Sequence, residues 1–287
     1  MRKTHSQKNT KGFMDRKGRR HRLNSFLRDT DPKLLRRGIF AILALIVIVI
    51  ILFAQNTEPQ LLNTEEITAV REKGVLTVGV LDEIPLFSDD GEGLEIELAM
   101  LLAEKILPEM TGGAGVSFYN VTTTSISSHL SDGTIDVAIA LMKKGQDANC
   151  VYSDAYYTDK IGLAVLTGQK HMGFKNTTIG YVFEGKKMAI PEELSEFAKK
   201  NNANLKAYAG YDDMLRDLTL KKIDACLMYG VYANKYKAEY TFELSETTLG
   251  YVEYAIATSK NTPAFAEISN IMLKEIKENG KLSALLP

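Results

Sequence analysis

The sequence predicts an α/β domain of two lobes, preceded by a single membrane-spanning helix. Three observations carry this. Seventeen consecutive residues, Gly38–Ala54 (GIFAILALIVIVIILFA), lack any polar side chain. From residue 64 onward, short apolar runs suited to strands alternate with segments of helical periodicity, which is the signature of parallel strands covered by helices. One pattern, a helix end followed by a polar turn and an Ile-Asp-small entry into a strand, occurs at Ser128–Ala138 and again at Leu215–Ala225.

The apolar run is long enough, at 1.5 Å per residue, to cover roughly 25 Å, the short end of a hydrocarbon core. Charge divides around it. Residues 1–37 hold thirteen Lys/Arg against three Asp, which leaves 22 basic and 33 acidic residues for the rest of the chain. Lys33, Arg36 and Arg37 precede the run; Glu58, Glu65 and Glu66 follow it. Positive flanks stay in the cytoplasm, so the C-terminal body is expected outside. The 37-residue leader is longer than a signal peptide's, and Leu52 stands where a small residue would precede cleavage at Ala54, so an uncleaved signal-anchor in the cell membrane is expected. The tail 1–37 is polar and without apolar periodicity, and is expected to be disordered, touching lipid rather than nucleic acid.

After a Pro-containing linker, 55–63, the body opens with a helix whose first turn carries Glu65-Glu66 and which Gly74 ends. Val75–Val80 reads as a strand buried on both faces. Leu94, Leu98, Leu101, Leu102 and Ile106 share helical spacing over Leu94–Leu107. Val116–Val121, a short helix Ser125–Leu130 and the strand Ile135–Leu141 complete a first βαβαβ series. The second series comprises the strand Thr178–Phe183, helix Pro191–Asn201, strand Leu205–Ala209, helix Asp212–Leu220 and strand Ile223–Met228. Strands Ile161–Leu166 and Tyr251–Thr258 bracket it, and a helix at Ala264–Asn279 closes the chain before Gly280. The second lobe is thus expected to be inserted into the first, with lobe 1 at about 64–160 and 252–287 and lobe 2 at about 161–251.

KGVLTVGVLDEIPLF, GLEIELAMLLAEKI, the Gly133-Thr134-Ile135-Asp136-Val137-Ala138 turn, Tyr152–Tyr157, KIDACLMYG, YAIAT and the terminal ENGKL together resemble the extracellular solute-binding proteins of family 3. The resemblance runs from about Ile67 to the C-terminus. It implies the type II periplasmic-binding-protein fold and a role as the receptor of an amino-acid ABC transporter. The implied partners are an amino-acid-like small-molecule solute and an ABC permease, with no cofactor and no metal.

In that family a loop Arg forks onto the ligand α-carboxylate, and an Asp at the end of a lobe-two strand pairs its α-ammonium. Counting back from Tyr152, the Arg position is Gln146 and the Thr three residues earlier is Lys143; the Asp position, five after Asp224, is Tyr229. Both charged partners are absent, so tight binding of ordinary α-amino acids is not expected. The expected ligand-binding residues are Glu83, Phe87, Met142, Lys143, Gln146, Lys186 and Tyr229. Phe87 is the aromatic after the first strand, Glu83 a candidate replacement negative charge, and Lys186 a position beside a helix N-terminus. Tyr229, Tyr232, Tyr236 and Tyr240 form a helical stripe that reads as packing.

No catalysis is expected. HExxH, GxSxG, P-loop and CxxC signatures are all missing, and the four His are scattered. A lytic transglycosylase reading would need a further catalytic domain. Cys150 and Cys226 fall in different expected lobes and are expected to stay free thiols. Two functions follow: a membrane-tethered solute receptor, or an interaction domain at the cell envelope that keeps the fold without a ligand.

Overall fold

The computed structural model describes residues 39–48, 60–183 and 189–286. The chain divides into two units, Met1–Thr57 and Glu58–Pro287. In the first, residues 39–48 are helical, and apolar side chains including Ile39, Phe40, Ile42 and Leu45 are exposed. Among the described residues no helix is long and apolar enough to cross a membrane. The two ends of the expected span, the basic tail 1–37 and linker residues 55–59 lie outside the described residues.

The second unit runs α1 (Glu65–Lys73), β1 (Leu76–Val80), α2 (Leu94–Ile106), β2 (Val116–Asn120), α3 (Ile126–Asp132), β3 (Val137–Ala138), β4 (Cys150–Leu166), β5 (Thr178–Val182), α4 (Glu192–Asn201), β6 (Asn204–Tyr208), α5 (Tyr211–Thr219), β7 (Ala225–Tyr229), α6 (Gly230–Tyr236), β8 (Phe242–Ser259), α7 (Ala264–Glu278) and α8 (Lys281–Leu285). The strands form one sheet in the order β2-β1-β3-β8-β4-β7-β5-β6. Pairing is parallel within β2-β1-β3 and within β7-β5-β6. These two groups flank a long antiparallel ribbon of β4 and β8. β3 pairs with Ala257 and Thr258 of β8, and β7 pairs with Ile161–Ala164 of β4. The fold is therefore two-lobed α/β, with the ribbon running through both lobes.

Local sequence explains the elements that position the site. α1 ends at Gly74, whose left-handed φ of 72° lets its N–H close onto Val70 and Arg71 carbonyls. α2 is apolar on most of its surface because it is sandwiched between β1 and α7; Leu98 and Leu102 are fully buried, each contributing roughly 1.5–3 kcal/mol. Its entry requires glycine. Gly93 has φ 117°, and a Cβ there would sit 2.5 Å from the Phe87 carbonyl.

The structure departs from the sequence reading in the sheet. β4 and β8 have 17 and 18 residues, extending well beyond the apolar runs at 161–166 and 251–258. Their added halves are only intermittently buried, so cross-strand pairing rather than an apolar run holds them in strand form. β3 in turn is two residues long, because the chain turns through a left-handed Leu141 (φ 48°) just beyond it. Both thiols are buried and unpaired, and burial raises the pKa of each.

Candidate functional site

The loop after β3 is built around a buried acid. Glu95, in the first turn of α2, has no exposed surface. One carboxylate oxygen accepts the Leu141 N–H at 2.8 Å and also the Tyr156 hydroxyl; the other has no partner. Burial, opposed by hydrogen bonds from Tyr156 and Leu141, pushes its pKa up to about 7. Beyond the Leu141 turn the loop zips onto β8. The Ala255 N–H donates to Met142 O, and the Lys144 N–H donates to Glu253 O, both at 2.9 Å. Gln146 closes the loop on itself. Its side-chain oxygen accepts the Lys143 N–H at 3.0 Å, its own N–H donates to Lys143 O at 3.0 Å, and its amide nitrogen lies 3.8 Å from the Met142 sulfur. With both ends of its amide engaged, Gln146 shapes the loop.

That shape sends Lys143 across to the end of β7. Its ammonium donates to the Tyr229 hydroxyl at 3.0 Å and lies 4.4 Å from the centre of the Tyr229 ring, a combined hydrogen bond and cation–π contact. Tyr229 ends β7 and precedes α6. It packs edge-on against Tyr232 at 6.5 Å, while Tyr211 stacks between Tyr232 and Tyr236. The tyrosine stripe is thus a packing cluster, of which Tyr229 is the member facing Lys143.

Asp159, midway along β4, fixes the start of α6. It is 3% exposed; its carboxylate accepts the Val231 N–H at 3.0 Å and the Lys160 N–H at 2.8 Å. Burial raises its pKa, and hydrogen bonds from Val231, Lys160 and Gly230 oppose that. A Cβ on Gly230 would collide with the Asp159 carboxylate, so glycine is required where the helix begins.

Lys143, Gln146 and Tyr229 line one cleft of about 620 Å³. Thr123 and Thr124 add hydroxyls to its wall, Ile161, Val182 and Val252 an apolar face, and Ile190, Glu193 and Tyr251 further side chains. Met142 is buried behind Gln146. Phe87 lies elsewhere, 1% exposed and edge-on to Tyr157 at 5.0 Å. Glu83 is exposed and faces Lys235 of α6, with 3.6 Å between carboxylate and ammonium. Lys186 lies outside the described residues. The sequence reading missed Glu95, Asp159, the two threonines, Glu193 and Tyr251. The only signal for Glu95 was an acid inside an otherwise apolar helix, and Asp159 carried none. Among the described residues no cluster of His, Cys, Asp and Glu is arranged to hold a metal.

Comparison with known proteins agrees with this architecture. The ABC transporter glutamine-binding protein GlnH of Bacillus subtilis (strain 168) is 25% identical over 235 residues, covering 76% of this chain and 81% of GlnH. Among solved structures, the P235GK mutant of ArgBP from T. maritima superposes with a TM-score of 0.59 at 21% identity, covering 77% of this chain and 96% of that one. The amino acid ABC transporter substrate-binding protein AbpA from Streptococcus pneumoniae Canada MDR_19A, bound to L-arginine, gives 0.59 at 21% identity over 76% and 95%. Residues 76–286 match the family model of the bacterial extracellular solute-binding proteins, family 3, and the chain belongs to that family.

Proposed function

We propose that the protein is a membrane-tethered, extracytoplasmic receptor that captures a small polar solute between its lobes and presents it to an ABC permease. In this reading residues 1–37 are a cytoplasmic tail, 38–54 the membrane helix and 55–63 the linker. The lobes divide at about 160/161 and 251/252. GlnH and AbpA, named for ABC transporters, support the transport role. The observation that carries it is the cleft itself: about 620 Å³, within the range of small-molecule sites, with a lysine, a glutamine and hydroxyls converging on it from loop and strand ends. No residue is assigned a catalytic role. The expected ligand residues are Lys143, Gln146 and Tyr229, with Met142 supporting them; Glu83 and Phe87 lie away from this cleft, against Lys235 and Tyr157.

One observation favours a second reading. Lys143 already spans from one lobe to Tyr229 on the other, so an interaction domain that holds its lobes together without a solute also fits. A thermal-shift screen of the full chain against amino acids, organic acids, sugars and peptides separates the two. A true ligand at 100 times its dissociation constant stabilises by about 2.7 kcal/mol; no shift with any solute would leave the interaction domain as the better account.

A further inference from the structure

We infer that Glu95 is a positioning residue for the cleft, and that the proton it carries decides whether the loop 141–146 stays seated on α2 or lifts away. This regulation rests on the receptor reading above for its purpose, while the motion of the loop is measurable without any solute.

The geometry makes Glu95 the seat of the loop. Its carboxyl group is fully buried in the first turn of α2. Oε1 accepts both the Leu141 N–H, at 2.8 Å, and the Tyr156 hydroxyl; among the described residues Oε2 has no partner. Leu141 stands at φ 48°, a left-handed backbone that a leucine keeps only where its surroundings impose it. The bond to Glu95 is one restraint, and the zipper onto β8 through Met142 and Lys144 is another. Lys143 and Gln146, which line the cleft, follow directly from this turn.

The neutral acid suits this seat better than the anion, which brings a full charge into an apolar interior with both its donors on one oxygen. Parting the Leu141 turn from α2 uncovers the carboxyl to water. The linkage is reciprocal: a loop position that hydrates Glu95 favours its ionisation, so ionisation favours that position. The titratable groups facing Glu95 are Tyr156 of β4 and, beyond it, Tyr254 of β8. β1 carries no titratable side chain, and Tyr119 of β2 packs on His129. Charged side chains of the other packed elements engage elsewhere. On α1, Glu66 accepts the Ala264 N–H and Arg71 donates to the Ile106 and Leu62 carbonyls. On α7, Glu275 pairs with Lys105 and Lys277 donates to the Ala155 carbonyl. Asp89 and Asp90 before α2 are exposed, and on the loop Lys143 reaches Tyr229 while Lys144 reaches Asp154. Burial is therefore the main force on Glu95 and places its ionisation at about 7.

Hydrogen exchange of the full chain, read by mass spectrometry between pH 5.5 and 8 and corrected for the intrinsic effect of pH, tests the seat. Peptides covering 140–146 and 253–256 report the Leu141, Lys144 and Ala255 amides, and a peptide covering 200–206 serves as control. With ionisation at 4.5 in water and at about 7 when seated, opening of the loop should grow about tenfold across this range. Glu95→Gln keeps an oxygen for Leu141 and cannot ionise, so its loop protection should stay level. Tyr156→Phe removes a hydrogen bond that lowers the Glu95 pKa, so the rise should move to higher pH. No rise in the native protein, an equal rise in Glu95→Gln, or a rise matched by the 200–206 peptide would each overturn the inference and leave the receptor reading to the solute screen. Should Glu95→Gln fail to fold, Tyr156→Phe decides alone: a rise at an unmoved pH overturns the inference.

Discussion

Substituting Glu95 tests how the cleft loop is held, because this acid titrates where stability is easily measured. It ionises near 4.5 in an unfolded chain but near 7 when buried in the fold. Between those values the folded protein holds the proton more tightly than the unfolded chain does. The stability linked to Glu95 is therefore fully present below pH 4.5, falls as pH rises toward 7, and levels off above. At about 1.36 kcal/mol per pH unit, the loss across this window is about 3 kcal/mol. Glu95→Gln keeps an oxygen for the Leu141 N–H but has no proton to release, so its profile should lack this descent. Thermal melts of both proteins from pH 4 to 8 measure the difference directly. For a folded unit of this size the native protein should lose about 6–12 °C relative to the variant across the window. Parallel profiles, or a native protein that gains on the variant as pH rises, would refute the assignment of Glu95 as a buried acid ionising near neutrality. Subtracting the variant's curve removes the contribution of Asp217, whose pKa is lowered mainly by hydrogen bonds from Lys206 and Lys222.

Further outcomes follow from the same geometry. Asp159→Ala leaves the buried Val231 N–H without its acceptor and should cost about 1–3 kcal/mol in urea unfolding; no loss would remove Asp159 as the anchor of α6. Lys143→Met breaks the contact with Tyr229 and should lower stability by about 1 kcal/mol, with a larger radius of gyration by small-angle scattering if this contact holds the lobes together. Leu98→Ala empties a fully buried position on α2 and should cost about 2–5 kcal/mol. Cys150 and Cys226, both buried, should react with a thiol reagent only after denaturation; rapid reaction of the native protein would contradict their burial.

Much of the architecture was legible because it is written in apolar periodicity. β1 and α2 are deeply buried and could hardly be read otherwise. The two-series order was read from alternating strand and helix patterns with the Ile-Asp-small repeat in support, and the structure gives that repeat a reason. Asp136 accepts the Thr77 N–H and Asp224 accepts the Thr178 N–H, each tying a strand entry to its neighbour. The ribbon was half legible. The stretches Cys150–Lys160 and Phe242–Gly250 are only intermittently buried and contain Asp, Glu, Ser and Thr, so their strand character depends on each other and not on composition. The site was legible only through the family resemblance, which located Lys143, Gln146 and Tyr229. Glu193 and Tyr251 stayed hidden because an acid at a helix start and a tyrosine in a strand are ordinary residues until the chain brings them to one cavity.

The ribbon also sets the order in which the molecule can be completed. Cys150 pairs with Ser259, and the partners along β4 and β8 stand from 76 to 109 positions apart in the chain. α2 packs against α7, which begins at Ala264. A chain emerging N-terminus first thus carries an apolar helix through the synthesis of more than half of its folded body before the matching surface exists. Pairings this distant slow folding, and the contact of α2 with α7 can be completed only once residues 264–278 have been made.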